Sequence, residues 1–371
     1  MVRASDILVV GAGIIGCAVA YELARRGAPV TVIDEREAGA GATQASGGML
    51  APFSEAADAD PLLDLGARSL ALFDRFVESI EADSATRVGY VRSGTLHVAR
   101  HEESLHGFDE IHRTLALRGV ACERLSAAGT RAREPQLAAD LFGGLLIPAQ
   151  GLVSALDLTR ALARAAARFG ATFVDRVRVH SIAPAVPAVA VETDRGRVEA
   201  RVVVLAAGAW SGRVAVEGAD VLPVKPIRGQ LLQLGWCGTP VARVTWDEHC
   251  YVVPRSDGTL LVGATVEDVG FEERITVGGV RSLLDAVCGL LPQAWNASLV
   301  ATRVGFRPSG PDAMPIVGWS EAVPGLMYAT GHFRNGVLLA PITSAIVADA
   351  ILGDARDEAL ELMRPSRFGR L

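Results

Sequence analysis

Residues 7–34, ILVVGAGIIGCAVAYELARRGAPVTVID, constrain the fold more than any other stretch of the chain. Ile7, Leu8, Val9 and Val10 form a short unbroken apolar run, the pattern of a strand buried on both faces. Gly11, Gly13 and Gly16 follow at G-x-G-x-x-G spacing. In that arrangement the first glycine allows a tight turn and the second lets a pyrophosphate approach the backbone. The third lets helix and strand pack closely. The spacing predicts a helix from about Ile14, with its free N–H groups and positive dipole end facing the pyrophosphate. Arg25, Arg26 and Gly27 supply a basic last turn and a stop. Val30 to Ile33 reads as a second strand closed by Asp34, where an acid accepts from the ribose hydroxyls of an adenine dinucleotide. A glycine-bearing turn in another α/β fold is the plainer reading. The ordered context of strand, turn, helix, strand and acid argues against it. The stretch leaves FAD and NAD(P) both open, and Asp34 argues only against a 2′-phosphate.

The rest of the chain narrows the class. Its 371 residues hold material for two or three domains, and half of them are hydrophobic. A net charge of −6 offers no footprint for nucleic acid and no polybasic membrane patch. Five cysteines, odd in number and without C-x-x-C spacing, read as reduced thiols and not as a disulfide framework or zinc site. His106 and His112 stand too far apart for a helical metal pair, and no H-E-x-x-H occurs, so no metal is expected. The apolar N-terminal run is broken by glycines and followed directly by a strand. The expectation is therefore no signal peptide, no membrane span and a cytoplasmic location.

Beyond Asp34, the small-residue stretch Ala38 to Pro52 suits close approach of backbone to a planar or phosphorylated ligand, or else a surface loop. Pro61 opens a helix with Leu65, Leu72, Phe73, Phe76 and Ile80 as its core stripe. Residues 201–211, RVVVLAAGAWS, read as a second buried strand running into a turn at Gly208, a candidate cofactor contact. A nucleotide domain in two parts suits a flavoprotein better than a contiguous NAD domain. Residues 223–266 read as antiparallel strands of a second domain, followed by a helix over 280–291. The last helix is expected to start at Pro341 and to end before Gly353.

Taken in order, VVGAGIIG, TQASGGMLAP, HCYVVPR, VGAT, GFRPSGPDAMPIVG and GHFRNGVLLAP resemble the glycine oxidase branch of the D-amino-acid-oxidase-like flavoproteins over essentially the full length. The likeness extends to the enzyme that feeds thiamine thiazole synthesis. It implies an α/β fold: a discontinuous FAD-binding Rossmann-like doubly wound domain at 1–85, 140–220 and 310–371, with an antiparallel-sheet substrate domain at 86–139 and 221–309. It implies FAD contacts from Gly11, Gly13, Ile14, Ile15, Gly16, Asp34, Glu35, Ala42, Thr43, Gly47, Gly48, Met49 and Val179. The turn His332, Phe333, Arg334, Asn335, Gly336, Val337 and Leu338 would add more. Arg307 and Tyr251 would hold the substrate carboxylate, Arg334 would lie beside substrate and flavin, and His249 is a further wall residue. No cysteine stands near Gly305-Phe306-Arg307, so noncovalent FAD is expected. The resemblance also implies a small amino-acid substrate, molecular oxygen and a homo-oligomer. Val266 stands where a methionine is expected, which bears on pocket size.

The residue types fit these roles. A guanidinium matches a carboxylate through two parallel hydrogen bonds. By itself Arg307 would read as a surface arginine or a structural ion pair. Tyr251 is either a carboxylate donor or an aromatic core residue. His249 faces the same way as Tyr251 by strand period, and a packed or solvated histidine is equally open to it. Arg334 is a ligand contact or a structural arginine, and Asn335-Gly336 aims helix N–H groups at the flavin or merely caps the helix. No serine–histidine–carboxylate order or carboxylate dyad competes. The expected reaction is oxidative deamination of glycine or a similarly small amino acid, giving an imine and hydrogen peroxide. Rivals on the same scaffold are a sarcosine oxidase, a D-amino-acid dehydrogenase and a 2-hydroxy-acid oxidising flavoprotein. A flavin-binding module without turnover is a rival of another class.

Overall fold

The computed structural model describes residues 6–54, 61–353 and 357–371. The opening stretch folds as its pattern dictates. Strands Ile7–Val10 and Val30–Ile33 pair in parallel, with Ile7 opposite Val30, and helix Ile14–Arg25 connects them. They sit inside a six-stranded sheet ordered Ile316–Trp319, Leu326–Thr330, Val202–Leu205, Ile7–Val10, Val30–Ile33, Thr172–Val174. All its neighbours are parallel except the antiparallel pair at the 316–330 edge.

Alternation explains why the first strand is apolar throughout. Ile7 and Val9 pack into the helical layer, while Leu8 and Val10 pack into a second core on the opposite face. The helical layer is built by Ile14–Arg25, Ala155–Arg168 and Gly336–Leu352. Ala18, Ala20, Ala161 and Ala165 are almost wholly buried there, and small side chains let the helix axes approach. The other face is covered by a four-stranded sheet from Val179–Ala185, Ala188–Thr193, Gly196–Ala200 and Ala215–Val216.

The remaining large sheet has eight strands, running from Ser298–Ser309 through Lys225–Gly235, Thr259–Gly263, Tyr251–Pro254, Val244–Trp246, Thr95–Ala99 and Gly143–Ile147 to Glu123–Ser126. Its ladders are antiparallel apart from one parallel seam, where Val244–Trp246 meets Thr95–Ala99 and two distant parts of the chain join. Gly143–Ile147, which the expected boundaries group with the nucleotide segment, is hydrogen-bonded into this sheet. Helix Val277–Leu290 covers it, burying Leu283, Val287 and Leu290.

Three local expectations change. Leu72 is 43% exposed and leaves the core stripe of its helix, Pro61–Ser84. A short helix, Ala127–Arg133, arises where none is expected, started by Ser126 accepting from the Gly129 N–H. The last helix starts at Gly336, with Pro341 inside it. The Asn335 carbonyl already accepts the Leu339 N–H at 2.8 Å, so the first turn precedes the proline. Pro341 then costs only the hydrogen bond to the Val337 carbonyl.

Candidate active site

A cavity of about 1030 Å³ runs between the six-stranded and eight-stranded sheets. At one end lies the glycine turn. Gly11 has φ +112°, and a methyl there would meet the Ala206 carbonyl oxygen at 2.4 Å. A methyl on Gly16 would sit 1.8 Å from the Gly11 carbonyl oxygen. Both positions are closed by the chain itself. Gly13 differs, because a methyl there would meet only the Thr43 hydroxyl, at 3.8 Å, and would otherwise project into the cavity. The Ile14 N–H is fixed by Thr43 Oγ1 at 3.2 Å, which ties the helix start to the small-residue stretch.

Two acids follow the second strand and behave differently. Asp34 accepts from the Ala12 N–H at 2.6 Å and the Arg36 N–H at 2.7 Å, so each oxygen already braces the turn. Burial raises its pKa, and those two N–H groups oppose the rise. Glu35 lines the cavity at a more exposed position, paired with Arg178. Beside it the Arg36 guanidinium lies 4.8 Å from the Trp210 ring centre and pairs twice with Glu273, at 2.9 and 2.8 Å. This pair joins the nucleotide end to the segment leading into helix Val277–Leu290.

The middle of the cavity is backbone and small side chains. Ala42, Thr43, Gly47, Gly48 and Met49 line it, as do Val179, Gly208 and Ile15. His332, Phe333, Asn335, Gly336 and Val337 form the wall at the start of the last helix, whose positive end therefore faces inward. Gly16 and Leu338 do not line the cavity. The first is packing, and the second is buried with its carbonyl taken by the Ser69 hydroxyl. His332 is buried, with Nε2 3.1 Å from Thr343 Oγ1, and burial pushes its pKa down to about 3. It is a neutral structural histidine at physiological pH.

At the other end Arg307, Tyr251 and Arg334 converge. Arg307 stands opposite Ile227 on the neighbouring strand, and its side chain crosses diagonally over Gly229. A methyl at Gly229 would lie 2.6 Å from Nη2 and 2.7 Å from Nη1. Nη1 donates to the Thr265 carbonyl at 3.0 Å. Tyr251 stands opposite Gly263, and its ring fills the notch between Gly263 and Gly47. Burial lowers the Arg307 pKa. Tyr251 and Glu267 oppose that effect, and the nearby Arg334 charge adds to it. Burial raises the Tyr251 pKa, with the Arg307 and Arg334 charges acting against the rise, so its hydroxyl keeps its proton at neutral pH. A proton donor and two cations at one cavity end are the chemistry that a small anion can pair with.

His249 also lines the cavity, but not by strand period. Strand Tyr251–Pro254 starts after it, and His249 stands exposed in a turn where Asp247 accepts from its N–H at 2.9 Å. Trp246, stacked on buried His97 at 5.4 Å, and Phe306 complete this end. Sequence reasoning missed Gly229 and Trp246. A glycine inside a strand, as in KPIRGQLLQL, was the available signal for Gly229, because it marks close approach by another group. Among the described residues no cluster of histidine, cysteine, aspartate and glutamate could hold a metal, and no helix is long and apolar enough to cross a membrane.

The nucleotide end fits FAD on the chain's own geometry: a side-chain-free approach at Gly13, two helix starts facing inward and the acids Asp34 and Glu35 beside them. Comparison with known proteins agrees. The FAD dependent oxidoreductase (DAO) family matches residues 6–350. A glycine oxidase of Geobacillus kaustophilus is 34% identical over 98% of this chain and 96% of its own length. The crystal structure of glycine oxidase from that organism superposes with a TM-score of 0.95 at 33% identity, covering 99% of each chain. A bifunctional ThiO/ThiG protein of Trichormus variabilis is 35% identical over 98% of this chain, which spans 55% of that longer protein. The chain therefore belongs to the DAO family of FAD-dependent oxidoreductases.

Proposed function

We propose that this enzyme oxidatively deaminates glycine or a similarly small amino acid, with noncovalent FAD as cofactor and molecular oxygen as final acceptor. The observation that carries the reading is the anion receptor at the far end of the FAD cavity, formed by Arg307, Tyr251 and Arg334. Bound FAD supplies the two-electron acceptor for the hydride that leaves the substrate Cα. The chain supplies position. Arg307 and the Tyr251 hydroxyl hold the carboxylate, which fixes where the Cα–H points. Arg334 adds positive charge beside them, and His249 stands at the open wall. The positive end of helix Gly336–Leu352 would stabilise negative charge on a ring seated against it. Asp34, which accepts one N–H on each oxygen and keeps further lone pairs, and Glu35 beside it are the acids available to the ribose hydroxyls.

The balance is glycine, oxygen and water to glyoxylate, ammonia and hydrogen peroxide, with the imine hydrolysed by water. The glycine oxidase and ThiO/ThiG relatives support this substrate class and a place in thiamine thiazole synthesis. Anaerobic titration of the yellow holoenzyme with glycine, sarcosine, D-alanine and 2-hydroxyglutarate tests it. Glycine is expected to bleach the flavin at the lowest concentration. Colour that persists at every glycine concentration overturns the assignment, and earlier bleaching by sarcosine or D-alanine moves it to those amines.

A further inference from the structure

Arg307 does not hold its position alone. Its Nη1 rests on the Thr265 carbonyl at 3.0 Å, and Thr265 is itself fixed at several points. The Thr265 hydroxyl accepts from the Gln230 N–H at 2.9 Å and donates to Glu267 Oε1 at 2.5 Å. The same Oε1 accepts from the Gln230 side chain at 2.7 Å. Glu267 Oε2 accepts from Arg228, through Nε at 3.2 Å and through Nη2. Arg228 is only 3% exposed, and Glu272 holds its other arm at 3.2 Å. The Glu267 carboxylate thus has four donors on its two oxygens, near the capacity of the group. Burial alone would raise the Glu267 pKa. The hydrogen bonds from Arg228, Thr265 and Gln230 outweigh burial and leave it below its ordinary value. Val266, between Thr265 and Glu267, lines the cavity.

We propose that Glu267 is a positioning residue for substrate binding, holding the Thr265 carbonyl that orients the Arg307 guanidinium and the Val266 wall beside it. The inference rests on the reading of Arg307 as the carboxylate anchor. A charged acceptor is needed because four donor groups from three side chains meet there: Arg228, Gln230 and Thr265. A neutral amide in the same place would turn an N–H toward a donor and release Thr265. The carboxylate also sets a negative charge near Arg307, partly offsetting the Arg334 charge at that end.

The test uses the FAD-bound enzyme, with acetate as a carboxylate probe that competes with glycine. Glu267→Gln is expected to keep FAD, raise the glycine KM and the acetate inhibition constant roughly tenfold, and change kcat by less than about twofold. Glu267→Asp, which keeps the charge, is expected to recover part of the loss. A merely structural glutamate would lower the melting temperature and leave both constants alone, and that result overturns the proposal. If Glu267→Gln fails to fold, Thr265→Val decides. It keeps the Arg228–Glu267 pair, and is expected to raise both constants about threefold. No rise in Thr265→Val overturns the proposal. Arg307→Ala serves as the control for the underlying reading. If it raises the acetate constant while Glu267→Gln does not, only the positioning role fails. If Arg307→Ala leaves acetate binding unchanged, the anchor reading fails and the positioning role with it.

Discussion

The two ends of the cavity use glycine for opposite purposes. At the nucleotide end, Gly11 and Gly16 are closed by the protein's own backbone and Gly13 leaves room for a ligand. At the substrate end, Gly229, Gly263 and Gly47 leave room for the protein's own side chains, the Arg307 guanidinium and the Tyr251 ring. On the proposed reading, one end recognises through bare backbone and helix starts, the other through side chains seated in notches. Backbone recognition is local in sequence, because a turn and a helix start lie within a few residues. Side-chain recognition is assembled across strands 225–235, 251–254, 259–263 and 298–309, so its parts are far apart in the chain.

The largest effects should separate the ends cleanly. At Gly13 a Cβ meets nothing nearer than the Thr43 hydroxyl at 3.8 Å and there is no positive φ to strain, so Gly13→Val fills the approach to the turn. It should fold with a near-native circular dichroism spectrum and lose FAD retention altogether, read as a colourless protein after gel filtration. A yellow protein would place the cofactor elsewhere. Arg307→Ala should do the reverse, keeping FAD while raising the glycine KM by roughly 100- to 1000-fold, as expected for removing a bidentate charge-assisted contact. Loss of FAD with unchanged KM would dissolve the distinction between the two ends.

The same contrast explains what was legible. The strand–turn–helix–strand unit at 7–34 was readable from spacing because the turn, the helix start and the Gly16–Gly11 contact lie within a few residues of one another, whereas the Ala206 carbonyl that closes Gly11 comes from a distant strand end. Arg307 and Tyr251 became site candidates only through the resemblance of HCYVVPR and GFRPSG, since periodicity cannot say which distant strand a side chain crosses. His249 shows the limit directly. Its strand-period argument failed because Asp247 folds the preceding residues into a turn. Pro341 failed for a related reason. A proline suits a first turn, but the Asn335 carbonyl had already started the helix.

Acid should blur the contrast, because one buried neutral histidine stands at the middle wall of the cavity and another behind the Arg307 end. His332 bonds Thr343 Oγ1 beside the last helix, and His97 bonds Ser54 Oγ at 3.0 Å behind Trp246. Burial pushes their pKa values down to about 3 and about 4. The unfolded chain protonates near pH 6.5 while the fold keeps both rings neutral. Stability is therefore full above about pH 6.5 and falls as pH drops toward those values, by about 2 kcal/mol per histidine at pH 5. Melting temperatures at pH 7 and pH 5 should differ less for His97→Gln or His332→Asn than for the parent. Equal pH dependence in both variants and the parent would mean that neither ring is held neutral.

The smallest and most diagnostic effect is at Gly229. This position sits inside strand Lys225–Gly235, opposite Gly305, and has no left-handed φ, so its backbone accepts a side chain without strain. What a methyl group would meet is the Arg307 guanidinium, with Nη2, Cζ and Nη1 all within 2.7 Å. An arginine terminus can move, so Gly229→Ala should fold, bind FAD and melt close to the parent. The guanidinium must rise by somewhat under 1 Å to restore van der Waals contact, which breaks its alignment with the Thr265 carbonyl and tilts the carboxylate it holds. Misplacements of that size cost up to about 100-fold in rate, and a flexible side chain recovers part of it. The expectation is a roughly tenfold loss in kcat/KM for glycine, about 1.4 kcal/mol, with FAD affinity unchanged. An unchanged kcat/KM would mean that Arg307 can leave its notch without penalty, and that the glycines at this end are packing alone.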